Sequence, residues 1–516
     1  MSDFTDRFDL ASRRLGATVL ASSDEYFAEA DNLLLPHEAE WKPHEYTDRG
    51  KWMDGWESRR KRSAAFENGC AGGDEHDWAI VRLGVPGVVR GVIVDTAFFR
   101  GNYPDSCAIE ACAAPIDARL ETLLDPATSW FELVGRSKLE GNTKNAFAVT
   151  APWAATHLRL RIYPDGGVAR LRVYGDIVPD WRRIGHARGE LDLAAAEHGG
   201  DVLLASDMFF GERRNLVMPW RAKNMSDGWE TRRRRGPGHD WAIVKLGASG
   251  TITRVEIDTN HFRGNPPDTA KLEAIHAPDA TVEELSAEGA AWRELLPRTK
   301  LQAHTRHYFE PELAELGEVS HVRLSVYPDG GVSRLRVHGV LEDAERKRLG
   351  VTRLDTLPPD DARAALRACC ASTKWVEAMQ AKRPFDHVAA VFEAADAAWA
   401  ATGPEDWMEA FRAHPRIGEK KAAAPQSQVA KRWSAGEQRG MDVATDAQKQ
   451  AMSEANRAYE ERFGFTYIVC ATGKSAEEMV ALAKARLAHE RDQELAVAAA
   501  EQHQITRIRL EKLLEP

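Results

Sequence analysis

Several polar strings in this chain occur twice, in the same order. Asp54-Gly55-Trp56-Glu57-Ser58-Arg59-Arg60 returns as Asp227-Gly228-Trp229-Glu230-Thr231-Arg232-Arg233, and His76-Asp77-Trp78 returns as His239-Asp240-Trp241. Asp95-Thr96-Ala97-Phe98-Phe99-Arg100-Gly101-Asn102 is matched by Asp258-Thr259-Asn260-His261-Phe262-Arg263-Gly264-Asn265. Carboxylates and guanidinium groups in such strings have two uses. Buried, they must pair as salt bridges, because an unpaired charge inside a fold is costly. Facing a ligand, Arg100, Arg263, Arg170 and Arg334 could grip a carboxylate in forked geometry while Asp or Glu residues move a proton. Duplication alone does not choose between these uses.

The elements that must carry these strings are short strands. Tyr163-Pro164-Asp165-Gly166-Gly167-Val168-Ala169-Arg170-Leu171-Arg172-Val173 returns as Tyr327-Pro328-Asp329-Gly330-Gly331-Val332-Ser333-Arg334-Leu335-Arg336-Val337. Its Pro-Asp-Gly-Gly core is turn chemistry, and the alternation that follows has strand period. Brief apolar runs such as Val92-Ile93-Val94 and Leu158-Arg159-Leu160-Arg161-Ile162, set between Gly, Pro, Asn and Asp, predict antiparallel sheets with one buried face per strand. The expected architecture is two tandem antiparallel β-sandwich, jelly-roll-like repeats at 21–180 and 200–340, after a lead-in of 1–20. The first copy is longer around Ala64 to Gly73, which reads as a surface loop. A linker with a helical start is expected over 341–359, ending at Pro358-Pro359, with Asp360 capping the next helix. Apolar spacing at Val388, Val391, Phe392, Ala395, Ala398 and Trp399 predicts an all-α helical bundle over 360–516. Within it, Ala481 to Gln502 reads as a solvated amphipathic helix.

With 516 residues the chain exceeds one ordinary core, in line with two repeats and a third domain. A formal charge of −10 argues against nucleic acid as the main partner, although Arg59-Arg60-Lys61-Arg62 could hold a small anion. No apolar stretch reaches membrane length, the start Met1-Ser2-Asp3-Phe4 lacks the pattern of a secretion signal, and the six cysteines form no paired framework. A cytoplasmic protein without a membrane partner is expected. Where the first copy has Phe98, Asn142 and Asn145, the second has His261, His304 and His307, which adds groups able to titrate near neutral pH and points to a working site in repeat two or between the copies. His304-x-x-His307 lacks an obvious third ligand, so no metal ligand set is assigned. Exposed sheet edges beside a helical module weigh toward a homo-oligomer.

The duplicated motifs, Asp-Gly-Trp-Glu-x-Arg-Arg, His-Asp-Trp, Asp-Thr-x-x-Phe-Arg-Gly-Asn-x-Pro and Tyr-Pro-Asp-Gly-Gly-x-x-Arg-Leu-Arg, resemble those of the allantoicase family over about residues 10 to 340. The resemblance implies hydrolysis of allantoate to (S)-ureidoglycolate and urea. That reaction needs a carboxylate clamp, donors for a ureido oxygen and a proton donor for departing urea. We assign catalytic roles to His261, Asp227 and Glu230, and substrate binding to Arg100, Arg263, Asn265, Asp268, Arg170 and Arg334.

The last third is similar to 2-oxo-4-hydroxy-4-carboxy-5-ureidoimidazoline (OHCU) decarboxylase. The similarity rests on His414-Pro415-Arg416-Ile417-Gly418, Ser434-Ala435-Gly436-Glu437-Gln438, the run Asn456 to Phe465, Tyr467-Ile468-Val469-Cys470-Ala471 and Ile508-Arg509-Leu510. It implies an all-helical, cofactor-independent enzyme forming (S)-allantoin. In it His414 is the proton donor, Glu437 a catalytic carboxylate and Arg509 a positioning cation. Pro415, Ser434, Ala435, Gly436, Gln438, Tyr467, Ile468, Val469, Cys470 and Ala471 line the substrate. A His before Pro is held out of helical geometry, a common place for an accessible imidazole. No cofactor is expected, a divalent metal in the duplicated part being left open. The leading reading is a bifunctional enzyme acting on small ureides. The competing readings are sandwich ligand-binding modules attached to a decarboxylase, and a hydrolase whose decarboxylase-like part only assists assembly.

Overall fold

The protein was analysed as a computed structural model that describes residues 3–61, 75–184, 189–418, 427–437, 441 and 444–515. The insertion around Ala64 to Gly73, Cys70, Arg62 and Gln438 lie outside the described residues. The chain divides into two units, residues up to Glu345 and residues from Arg346.

The first unit holds two sheet-rich repeats, each built on one 19-residue strand, Asp77–Asp95 or Asp240–Asp258. The first half of Asp77–Asp95 pairs with Ala154–Tyr163 and with Thr18–Ser22, so that Arg82 lies opposite His157 on one side and Thr18 on the other. Its second half pairs with Arg170–Ile177 and its end with Lys144–Ala148, with Asp95 opposite Arg170 and Lys144. The second repeat repeats the plan. Asp240–Asp258 pairs first with Glu318–Tyr327 and Asp201–Ala205, then with Arg334–Val340 and Arg306–Phe309. All these pairings are antiparallel. The strand lengths follow from composition: Ala79, Ile80, Val81, Leu83, Val92 and Val94 are fully buried, and β-branched residues suit the pleated surface.

The recurring Tyr-Pro-Asp-Gly-Gly string is explained by close packing. Gly166 and Gly330 have φ of +133° and +132°, where a side chain is strained. Gly167 and Gly331 lie against the buried rings of Phe99 and Phe262, where an added Cβ would sit 1.9 and 2.0 Å from ring carbons. The string therefore requires glycine twice for different reasons.

Two boundaries differ from expectation. The described part of the expected lead-in, residues 3–20, is more than that: Phe8–Asp9 pairs with Arg170–Ile177, and Leu10, Ala11 and Leu15 are buried. The segment 341–359 holds a 14-residue helix, Asp343–Thr356, and the next helix begins at Pro359 with Pro358 at its cap, so Asp360 lies inside the first turn. Proline suits that first position because its missing N–H has no helical partner there anyway.

The second unit is helical. Its helices include Pro359–Cys369, Thr373–Ala381, Val388–Ala400, Pro404–Arg412, Gln428–Glu437, Asp446–Phe463, Ala476–Arg486 and Arg491–Leu514. They enclose a core that includes Trp375, Val391, Phe411, Tyr459, Phe463, Phe465 and Leu510. The expected solvated helix over Ala481 to Gln502 is corrected here. The segment breaks between Arg486 and Arg491, and Leu495, Ala498, Ala499 and Gln502 are buried. Glu494, fully buried, accepts hydrogen bonds from Arg486 Nε (2.7 Å) and the Tyr459 hydroxyl, with His489 Nδ1 at 2.7 Å. Those partners offset the desolvation cost of burying the carboxylate.

Cys107, Cys112, Cys369, Cys370 and Cys470 are buried and free of disulfides. Among the described residues no helix is long and apolar enough to cross a membrane. Gly331→Ala is expected to destabilise the first unit by about 1–3 kcal/mol, because the new methyl overpacks the Phe262 ring. Denaturant unfolding of the purified protein checks this, and Phe262→Leu in the same chain is expected to recover part of the loss.

Candidate functional sites

The duplicated arginines settle into the salt-bridge role. Arg170, 1% exposed, places Nη2 2.7 Å from Asp54 Oδ2 and donates to the carbonyls of His37, Asp54 and Ala169. Arg334, 3% exposed, donates to the carbonyls of Trp220, Asp227 and Ser333 and lies 3.2 Å from Asp227 Oδ2. Their donors are spent on the fold, so the substrate-binding assignment of Arg170 and Arg334 is corrected. Asp227 is corrected with them. Burial pulls its carboxyl upward, but the Lys223 backbone N–H, Arg334 and Arg14 outweigh that and hold it below the usual range. An acid held ionised in this way is a poor proton donor.

The histidines of the second repeat take over amide work from the first. Asn142 Oδ1 accepts from Phe98 N at 2.9 Å, and His304 Nδ1 accepts from His261 N at 2.8 Å. Asn145 accepts from Glu140 N at 2.8 Å and donates to Val94 O at 3.1 Å. His307 accepts from Gln302 N through Nε2 at 2.9 Å and sits with Nδ1 3.1 Å from Ile257 O. A neutral imidazole with one donor and one acceptor reproduces the amide pattern. His261 is also engaged, with Nε2 2.9 Å from Ala222 O. Its catalytic assignment is corrected on that geometry.

A cleft of about 630 Å³ gathers the other polar residues of repeat two, among them Glu230, Arg233, Arg234, Asn265, Asp268, Lys300 and Asp329. Glu230 belongs to the two-residue strand Trp229–Glu230, which pairs with Gly331–Val332. The adjoining Trp229 is buried and donates its indole N–H to Asp207 O at 2.9 Å, which fixes the turn that presents Glu230. Asn265 donates its amide to the Glu230 carboxylate, Lys300 pairs with Asp268, and Arg234 pairs with Asp240 while its backbone N–H reaches Asp329 Oδ2 at 2.8 Å. Burial raises the Glu230 carboxyl above its ordinary value, with Asn265 opposing part of the rise. A carboxyl so placed can carry a proton nearer neutral pH than a solvated one.

Of the residues expected to act here, Glu230, Asn265 and Asp268 meet in one cleft. Arg263 is exposed and does not line it, and Arg100 is likewise exposed. The cations that face the cleft are Arg233, Arg234 and Lys300. Lys300 had a readable signal, because Arg136-Ser137-Lys138-Leu139 returns as Arg298-Thr299-Lys300-Leu301. Among the described residues no cluster of three His, Cys, Asp or Glu groups is arranged to hold a metal ion.

In the helical unit a second pocket is lined by His414, Pro415, Ser434, Glu437, Tyr467, Ile468, Val469, Ala471, Thr472, Ile505 and Ile508, among others. His414 follows the helix Pro404–Arg412 and donates its backbone N–H to Phe411 O at 3.0 Å. Arg509, from Arg491–Leu514, meets Glu437 in a fork, Nε to Oε1 at 3.1 Å and Nη2 to Oε2 at 2.9 Å, and also reaches Ser434 Oγ at 3.0 Å. Lys512, one helical turn further, places Nζ 3.1 Å from Glu437 Oε1. These two cations outweigh burial and keep the Glu437 carboxyl below its usual range. Burial first, then the nearby Arg509 charge, push the His414 imidazole down to about 3.

Tyr467, Ile468, Val469, Ala471 and Thr472 form one wall, and Cys470, expected to line the substrate, is not part of it. Cys470 donates its backbone N–H to Glu501 Oε2 at 2.7 Å, while burial pushes its thiol up. Ala435 and Gly436 are exposed and do not line the pocket, which corrects their assignment. Lys512, Ile505 and Ile508 are additions; their spacing around Arg509 on one helix was the available signal.

Comparison with known proteins agrees with this division. Residues 8–178 and 191–342 match the allantoicase repeat family, and residues 355–511 match the OHCU decarboxylase family. The chain is similar to a probable allantoicase of Pseudomonas paraeruginosa, 49% identical over 65% of this chain and 96% of that protein, and to probable allantoicase 1 of Burkholderia mallei, 48% identical over 66% and 96%. The solved allantoicase of Saccharomyces cerevisiae is 34% identical with a TM-score of 0.52, over 65% of this chain and 94% of that one. An OHCU decarboxylase crystallised in the presence of (S)-allantoin is 29% identical with a TM-score of 0.26, over 30% of this chain and 99% of that one. The chain belongs to the allantoicase family through its duplicated first two thirds and carries an OHCU decarboxylase domain in its last third, a bifunctional enzyme of allantoin degradation.

Proposed function

We propose that the cleft around Glu230 and Asn265 hydrolyses allantoate. The observation that carries this reading is a carboxyl raised by burial, held by an amide, in a cleft faced by Arg233, Arg234 and Lys300. The cations hold the substrate carboxylate. A water oxygen bonds to the central carbon as the bond from that carbon to one ureido nitrogen breaks. Glu230 gives its proton to the departing nitrogen and recovers one from the water, so one water is consumed and urea and (S)-ureidoglycolate leave. Glu230→Gln is expected to cost the site it serves about 10²-fold or more in urea release from allantoate. His261→Phe and the pair His304→Asn with His307→Asn, which copy the first repeat, are expected to leave that rate unchanged. Full activity in Glu230→Gln at every substrate concentration would count against the assignment.

In the helical unit we propose that the substrate carboxylate of OHCU leaves as CO₂ from the pocket beside His414. The electron pair stays on the ring carbon, which takes a proton, and (S)-allantoin is formed. Arg509, oriented by Glu437, which Lys512 also holds, positions the anionic substrate, and main-chain groups of Tyr467 to Val469 and Ala471 hold the ring. Burial and the Arg509 charge, which push the His414 imidazole down to about 3, make it neutral at pH 7. The bound anion offsets that depression and favours the imidazolium that delivers the proton. Because the reacting complex then holds one more proton than the free enzyme, kcat/KM for decarboxylation should fall about tenfold per pH unit between pH 5 and 8. An inflection near 6.5 would instead point to an unperturbed histidine. His414→Asn should lose about 10²-fold or more of decarboxylation and none of the urea release.

For each repeat we propose two packed layers in a jelly-roll-like sandwich, with the 19-residue strand passing from one layer to the other. Its change of partners between its halves supports that reading. The working limits are 21–180 and 200–340 for the repeats, the first together with its preceding segment, and 360–516 for the decarboxylase domain. A cytoplasmic homo-oligomer acting on small ureides without a cofactor completes the proposal. Urea release that survives chelation and a mass by light scattering above that of one chain are the expected results.

A further inference from the structure

We infer that the first repeat carries a second working ureide site, in which Glu57 and Asn102 do what Glu230 and Asn265 do in the second. This rests on the reading of the Glu230 cleft as hydrolytic. The correspondence extends well beyond the two residues. Glu57 lies on the strand Trp56–Glu57, paired with Gly167–Val168, and Asn102 Nδ2 donates to Glu57 Oε1 at 2.7 Å. Lys61 stands where the second copy has Arg234: its backbone N–H reaches Asp165 Oδ2 at 2.7 Å and its Nζ lies 3.0 Å from Asp77 Oδ1. Those carboxylates correspond to Asp329 and Asp240.

The surrounding frame is duplicated too. Arg136 stacks 4.1 Å from the Tyr163 ring centroid, as Arg298 stacks 4.0 Å from Tyr327, and His76 and His239 flank the same two tyrosines. Ser58 Oγ accepts from Gly166 N at 3.2 Å, as Thr231 Oγ1 accepts from Gly330 N at 3.1 Å. Burial raises the Glu57 carboxyl as it does that of Glu230, with the asparagine opposing in both. A desolvated carboxyl costs stability that a single amide hydrogen bond offsets only in part, and carboxyls so placed cluster at functional sites. The ligand is a carboxylate bearing ureido groups, and the step is the same: water oxygen to the central carbon, the Glu57 proton to the departing nitrogen, and a proton from the water back to Glu57.

The test is urea release from allantoate by the full chain carrying Glu57→Gln, Glu230→Gln or both. Two independent sites predict that each single variant loses about half of kcat and the double variant about 10²-fold or more. A wild-type rate in Glu57→Gln with an inactive Glu230→Gln would overturn the inference and leave the Glu230 site standing. Full activity in the double variant would remove the underlying reading as well. Calorimetric titration of the double variant with allantoate gives a second readout that needs no turnover. Two molecules bound per chain are expected, and one per chain would overturn the inference. Asn102→Ala and Asn265→Ala repeat the comparison should either glutamine variant fold poorly.

Discussion

The buried guanidinium groups of Arg170 and Arg334 set the terms for the rest of the duplicated unit. Each sits at the start of a strand and gathers carbonyls from loops more than a hundred residues away, along with one carboxylate. Removing either partner of such a pair would leave the other charged and dry, at a cost of about 3–5 kcal/mol. The loops that carry Trp56 and Trp229 therefore have little freedom, and the adjoining Glu57 and Glu230 inherit that fixed position. A site built on two-residue strands, which would be loose by themselves, becomes stiff because an ion pair beneath it is expensive to open.

The same economy of parts is visible in the two histidines that replace asparagines. His304 and His307 occupy the positions of Asn142 and Asn145 and bond to the same kinds of main-chain groups. Imidazole in its neutral form and carboxamide both offer one donor and one acceptor on a short stem. Sequence alone sees a titratable group arriving in one copy, but the geometry shows a hydrogen-bonding pattern being conserved by other means.

Much of the fold was legible because it rests on local chemistry. The Pro-Asp-Gly-Gly turns, the duplicated strands and the helical spacing from Val388 to Trp399 all appear where their residues require. In the helical unit His414, Glu437 and Arg509, far apart in sequence, lie beside one another. What could not be read was whether a charged residue faces inward or outward. Arg334 and Arg234 look alike in the string of letters, yet one is enclosed by carbonyls and the other lines a cleft. Glu494 was hidden for the same reason, since its partners Arg486, Tyr459 and His489 are brought to it only by tertiary packing.

Asp227 illustrates how far the two copies have diverged in their dependence on each other. Its second oxygen accepts from Arg14 at 2.6 Å, and Arg14 also reaches Asn215 at 2.6 Å, so a residue preceding the first repeat's long strand adds a second cation to the carboxylate that anchors the second repeat. Arg214 answers in the other direction, reaching the carbonyl of Asp6 at 2.5 Å. A gene segment once copied whole has thus become a pair of halves that each lack something when separated. Cutting the chain between them would free two units of similar sequence, but the second would begin life with an anchoring carboxylate missing one of its cations, which makes the duplication hard to reverse.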